Sequence, residues 1–323
     1  MNKRWYLLKK LFQSIVTIFI VLVINFFLFR VMPGDPIKIL IRNPRISQDA
    51  LERVRQQFGL DQELYVQFFI YLRDLFHWDL GASFFYREPV LKVILERLPA
   101  TILLVGLATV LAVFLGVLIG VFTAWKRGTR VDFMGLGFSL FLYSMPAFWF
   151  SILMIMFFSV YLKIFPTGGM GVAGATFSNL WEQIVATSKY AFLPVFTFGI
   201  IMAGEYAIIM RNSLIEVFTE DYMLTAKAKG VSTIDLVMNH AMPNAMLPLV
   251  TLIAINLGFV VAGAIQVEAV FSWPGLGTLM YSALTNRDYP LLQGLFLFIT
   301  VCVILANLCA DLLYTYLDPR VKS

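Results

Sequence analysis

The sequence predicts an all-α polytopic membrane protein with six transmembrane helices. The chain is 59% hydrophobic and 14% charged, with mean hydropathy +0.80, whereas soluble domains hold about 25% charged residues. Its apolar residues also fall into runs long enough to cross a bilayer, for which roughly 20 residues suffice. Charge-free runs occupy 11–29, 98–125, 133–162, 241–267 and 289–310, and a sixth, 190–210, is interrupted by Glu205 alone. Helices satisfy their own backbone polar groups, as hydrocarbon requires.

The first run lies within MNKRWYLLKKLFQSIVTIFIVLVINFFLF. Its 19 residues exceed a signal-peptide core, and the following RVMPGDP offers no small-x-small cleavage site, so it reads as an uncleaved span. Residues 1–32 thus form the N-terminal segment and first span, 33–98 an extracytoplasmic insert, and 99–323 the core with the other five spans. Within the insert, SQDALERVRQQFG reads as a helix with Ser47 as N-cap, Leu51, Val54 and Phe58 on one face, and Gly59 closing it. ELYVQFFIYLRDLF repeats the pattern with Leu64, Phe68, Leu72 and Leu75. Such a pair is either a lid on its own bundle or a docking surface for an external partner, to which Phe84, Phe85 and Tyr86 would add aromatics.

Later, PTGGMGVAGATFSNLW holds Gly169-x-Gly171-x-x-Gly174. A dinucleotide fingerprint needs a strand before it and a helix after it; this stretch follows a membrane helix and is a coincidence. No phosphate-binding G-x-x-x-x-G-K-[ST] occurs.

Between the fourth and fifth spans lies TAKAKGVSTIDLVMNHAMPNAMLP, a polar helical hairpin between two apolar runs. Thr219 is placed to cap a helix with Glu220 and Asp221 in its first turn and Lys227 and Lys229 in its last, an order that suits the helix dipole. Gly230 follows where a residue of positive φ belongs. STID, Ser232 to Asp235, resembles a capping box opening a second helix, with Val231, Ile234, Val237, Met238 and Ala241 on one face. Pro243 and Pro248 end or bend that helix before the fifth span. The elbow 219–243 either lies on the lipid headgroups or is a rigid knob offered to a soluble partner.

Orientation follows the basic residues of the short loops. Lys3, Arg4, Lys9 and Lys10, then Lys126, Arg127 and Arg130, then Arg211, Lys227 and Lys229, and finally Arg320 and Lys322 share one side; Lys163, Lys189 and Arg287 face them. Both termini are therefore expected in the cytoplasm, and the net charge of +5 needs no nucleic acid to explain it. Cys302 and Cys309 are small packing residues: two turns of helix hold them about 10 Å apart, too far for a disulfide.

Polar side chains at membrane depth default to functional candidates. Asn25, Glu205, Asn256, Gln266, Glu268, Asn307 and Asp311 qualify. Glu205 and Asp311 fall toward cytoplasmic ends, where Arg211 or headgroups would satisfy them. Asn256 and Gln266, inside the fifth run, either line a polar path or hydrogen-bond between helices; Glu268 follows at its outer end. His77 and His240 lie on opposite sides of the membrane and share no metal, and no catalytic constellation is visible.

The elbow resembles the cytoplasmic motif of ABC-importer permeases, E-A-A-x3-G-x9-I-x-L-P, with Ala226, Gly230 and Pro243 in register. Leu224-Thr225 replaces the usual Glu-Ala, and His240 and Met242 the usual Ile and Leu. Those departures, with MPGDP, ERLPAT, RNSLIEVFTEDYMLTAKAKG, HAMPNAMLPLVT, VEAVFSWPGLGTLMYSALTNRDYPLLQG and DLLYTYLDPR, are similar to the B-type permease branch of dipeptide, oligopeptide and nickel importers. The resemblance implies a type I ABC-importer permease fold in a bacterial or archaeal cytoplasmic membrane. It implies a second homologous permease, two ATPase subunits that carry ATP and Mg, and an extracytoplasmic binding protein. This chain would bind no cofactor and catalyse nothing. Glu216, Asp221, Ala226, Lys229, Gly230, Ile234, Met238 and His240 would couple it to the ATPases, and Asn256, Gln266 and Glu268 are path candidates. Peptides are the expected cargo, with nickel chelates or oligosaccharides as alternatives. An ion-coupled secondary transporter is the remote alternative, lacking support from inverted repeats.

Overall fold

A computed structural model describes residues 3–31, 62–171, 174, 177–259 and 264–317. Among them the chain is helical, and Ala82–Pro89 is an isolated bridge. Helix α1 (Lys3–Val31) is followed by α2 (Leu64–Phe76), α3 (Val90–Trp125), α4 (Arg130–Ser144) and α5 (Ala147–Met154), which widens into a π turn over Ile155–Tyr161. Then come α6 (Leu180–Val217), α7 (Asp221–Ala228) and α8 (Thr233–Asp235), which passes through a π segment, Leu236–Ala241, into α9 (Met242–Phe259). Helices α10 (Ile265–Val270), α11 (Leu276–Thr285) and α12 (Tyr289–Leu317) complete the described chain.

Five helical stretches, Leu8–Phe29, Val90–Trp125, Leu180–Val217, Thr233–Ile253 and Tyr289–Cys309, are long and apolar enough to cross a membrane. The third predicted span is broken, its halves Arg130–Ser144 and Ala147–Tyr161 meeting at 99°. Pro146 causes the break: its ring disfavours helix at the preceding residue, and Met145 is extended at ψ 126. Fifteen residues of α4 rise only about 22 Å, short of a core of ~30 Å, so the pair makes a sixth span only if its two halves count as one. The fifth run also departs from expectation. Its described helix is Met242–Phe259, and Gln266 and Glu268 sit on the separate α10.

Small side chains let the central helices approach. Ala108, Ala112, Gly116 and Gly120 recur every four residues on α3 and face Gly199, Ala203 and Ala207 of α6, where van der Waals contact substitutes for the hydrophobic effect. A Cβ added at Gly120 would lie 2.6 Å from the Met210 Cβ, and one at Gly204 would lie 2.5 Å from the Ser139 carbonyl oxygen of α4. Helix α6 is thereby enclosed by α3 and α4, with α9 on a further side.

The insert is anchored to the bundle through α2. Phe26 of α1 packs on Phe68 and Tyr71 at ring separations of 5.2 and 5.7 Å. Asn25 Nδ2 donates to the Tyr71 hydroxyl and to the Gln293 carbonyl, both at 3.2 Å, so Asn25 ties α1, α2 and α12 together. Phe68, Leu72 and Leu75 are half-buried as the pattern predicts, but Leu64 is exposed. The helix expected from Ser47 lies outside the described residues. Helix α3 begins at Val90, eight residues before its charge-free run, because Lys92, Glu96 and Arg97 occupy its first turns outside the apolar stretch.

Candidate functional site

The elbow is built by two caps. Helix α7 ends in a Schellman motif: the Val231 N–H donates to the Ala226 carbonyl at 3.4 Å and the Gly230 N–H to Lys227 at 3.1 Å. That closure needs a left-handed residue, and Gly230 supplies φ +77°. The chain then restarts at Ser232, whose hydroxyl accepts the Asp235 N–H at 3.2 Å. The expected cap at Thr219 is not formed. Its hydroxyl donates instead to the Glu216 carbonyl at 2.6 Å, closing α6, and Glu220 stands at the N-cap of α7.

Neither proline stops the second helix. Thr233 to Ile253 runs without a break, because the π segment at Leu236–Ala241 shifts the hydrogen-bond register just before Pro243. The expected single apolar face also divides. Ala241 is buried with Met223, Leu214 and Ala245 in one core cluster, and Val237 and Ala226 are buried too. Ile234 and Met238 point outward, 66% and 53% exposed, and Leu224 of α7 is 59% exposed. The Asn244 Nδ2 donates to the Tyr222 hydroxyl at 2.9 Å, binding α7 to α9. His240 is half-buried with Nδ1 3.3 Å from the Asp235 carbonyl. Glu216, Asp221 and Lys229 are exposed around the same elbow. The predicted coupling residues thus gather around one elbow, with Ala226 buried, His240 half-buried and the other six exposed, among them the apolar Ile234 and Met238.

One electrostatic brace was missed by sequence reasoning. Arg211, near the end of α6, grips Asp132 of α4 through Nε at 2.6 Å and Nη2 at 2.9 Å. The Gly128 N–H adds a third bond to that carboxylate at 3.0 Å. Arg211 therefore serves Asp132 and not Glu205; the Asp311 side chain lies outside the described part. No sequence signal joins two residues 79 positions apart.

The path candidates separate into two places. Asn256 donates to the Tyr206 hydroxyl at 2.8 Å, within the elbow half of the bundle. Glu268 is fully buried at the other end. There it accepts from the Thr101 hydroxyl at 2.9 Å and the Thr278 N–H at 3.1 Å, while Thr101 Oγ1 accepts the Leu276 N–H at 2.7 Å. Trp273, also fully buried, donates its indole N–H to the Ala100 carbonyl at 2.8 Å. Gly275 and Gly277 give the carboxylate room: a Cβ on Gly275 would lie 2.5 Å from it. Glu268 therefore staples the α10–α11 connection to α3 and faces no open space within this chain. Gln266 is exposed.

Comparison with known proteins agrees with this architecture. A family model described as binding-protein-dependent transport system inner membrane component matches residues 116–323, and the model of its N-terminal part matches residues 4–105. The chain is 38% identical over 317 residues to the glutathione transport system permease protein GsiC of Escherichia coli O6:H1, covering 98% of each. It is 35% identical over 316 residues to a putative peptide transport system permease protein of Brucella abortus (strain 2308), again covering 98% of each. Among solved structures it shares the fold of a chain of the MetNI methionine ABC transporter in inward-facing conformations, with TM-score 0.57, 17% identity, and coverage of 71% of this chain and 97% of that one.

Proposed function

Because the chain belongs to the family of binding-protein-dependent transport system inner membrane components, we propose that it forms half of the pore of an ATP-driven peptide importer and that its elbow is the contact through which ATP hydrolysis acts. The chain is a multi-pass permease subunit. Its pore partner is a second homologous permease. Two ATPase subunits, which hold ATP and Mg, seat on the cytoplasmic elbows, and a binding protein delivers cargo from the outside. Both termini face the cytoplasm. Relatives named for glutathione and peptide transport support a short peptide as cargo.

The observation that carries this reading is the elbow's outer surface. Leu224, Ile234 and Met238 are exposed on either side of the Gly230 turn, while Met223 and Val237 on the same two segments are buried. Large apolar side chains exposed on an otherwise polar elbow suit burial against a partner protein. Force applied there has stiff paths inward. The helix from Thr233 continues unbroken into the fifth span, and the Arg211–Asp132 brace ties the end of α6 to α4. In vesicles holding the permease pair, ATPases and binding protein, uptake should require ATP and survive collapse of the ion gradient. Uptake that follows the ion gradient and ignores ATP would replace this reading with a secondary transporter.

A further inference from the structure

We propose that Glu205 places a carboxylate in the aqueous translocation route and there receives the ammonium group of a passing solute; this rests on the importer reading above. Glu205 lies at membrane depth. Its neighbour Tyr206 packs on Gly116 of α3, ten residues before Lys126, so about 15 Å of helix separates that level from the charged end. Ionisable groups at such depth face the bundle interior or a water-filled cavity and pair with an opposite charge. Among the described residues no hydrogen bond or ion pair reaches the Glu205 carboxylate. Arg211 is held by Asp132, and the runs 98–125, 133–162, 241–267 and 289–310 contain no Lys or Arg.

Neighbouring helices do not wrap it either. Ala203, Gly204, Tyr206 and Ala207 are buried against α3, α4 and α9, while Glu205 is half-buried. Spacings of three and four residues put Glu205 on one stripe of α6 with Ile201, Ile208, Asn212 and Glu216. That stripe is half-buried at Ile201 and Ile208 and exposed at Asn212 and Glu216, so it opens toward the elbow end along polar side chains. The uncovered face of an otherwise enclosed helix is where half a pore meets its route. An acid without a resident counter-charge suits transient capture of a primary ammonium, as at a peptide N-terminus or a lysine side chain.

The test uses the full permease–ATPase complex in membranes, with Cys302→Ala and Cys309→Ala as background and Ile208→Cys as reporter one turn from Glu205. The probes are a cationic and an anionic methanethiosulfonate. The reporter should react with both, the cation faster by about tenfold, since a lined cleft concentrates counter-ions to that degree. Glu205→Gln should bring the ratio to near one, and Glu205→Asp should keep it. A ratio near one that ignores Glu205→Gln overturns the proposal. So does failure of either probe to react, which would mean that lipid or the second permease covers this stripe. ATP-dependent uptake of radiolabelled di- and tripeptides in the same membranes reports on the importer reading separately: normal uptake with a flat ratio removes only the Glu205 site.

Discussion

Gly230→Val perturbs the elbow through the backbone alone. At φ +77° Gly230 occupies a conformation that costs an L residue roughly 1–2 kcal/mol. A Cβ built there meets no atom within 4 Å, so no clash in this chain adds to that figure. The penalty shifts the balance between the observed elbow and a redirected one by roughly 5–30-fold. Titrating purified ATPase subunits against the permease pair should show affinity weakened by about that factor, with binding-protein-stimulated hydrolysis uncoupled from uptake and membrane insertion unchanged. Gly230→Ala should be milder. Gly230→Asn should be mildest, because Asn tolerates the left-handed region. Normal affinity and normal coupled uptake in Gly230→Val would show that the left-handed turn at Gly230 is not needed for ATPase docking. Equal damage from Asn and Val would show that the ATPase excludes any side chain there and that the backbone is not the cause.

Breaking the brace with Asp132→Asn should destabilise the detergent-solubilised protein by about 1–3 kcal/mol, since a largely buried Arg211 loses its two-point carboxylate; thermal unfolding measures this. Trp273→Ala should cost about 3–5 kcal/mol by the same assay, because a fully buried indole leaves a cavity. Gly275→Ala and Glu268→Leu should each loosen the α10–α11 connection, and the double variant should be far less than additive because both changes strike one contact. Cross-linkers placed along 62–90, beginning with the exposed Trp78 and Phe85, should capture the binding protein during transport. Capture only from 272–290 would move that docking surface to the other loop.

Features set by local chemistry were readable in advance. Gly230 and Ser232 act as expected because a cap depends on residues within one turn of it. The broken third span was readable too, in Ser144-Met145-Pro146, but a charge-free run of 30 residues over 133–162 masks it. Thr219 failed as a cap because α6 continues to Val217 and takes its hydroxyl for its own last turn. Of the two outcomes expected of Pro243, ending or bending the helix, the first does not occur, because the π segment absorbs the proline. The division of the elbow's apolar face depends on Met210 and Leu214, contributed by a different helix. Partnerships across the bundle carry no sequence signature: Asp132 with Arg211, Thr101 with Glu268, Ala100 with Trp273. Glu205 was visible as a charge in an apolar run, but its lack of a partner emerged only once Arg211 was accounted for.

Cysteine cross-linking across the elbow asks whether its exposed apolar residues meet the ATPase. With the native cysteines replaced, single cysteines at Leu224, Ile234 and Met238 should link to the ATPase subunits in the assembled complex, and cysteines at the buried Met223 and Val237 should not. An assembled, transporting complex in which none of the three outer positions links to an ATPase would mean that the elbow is not the ATPase contact.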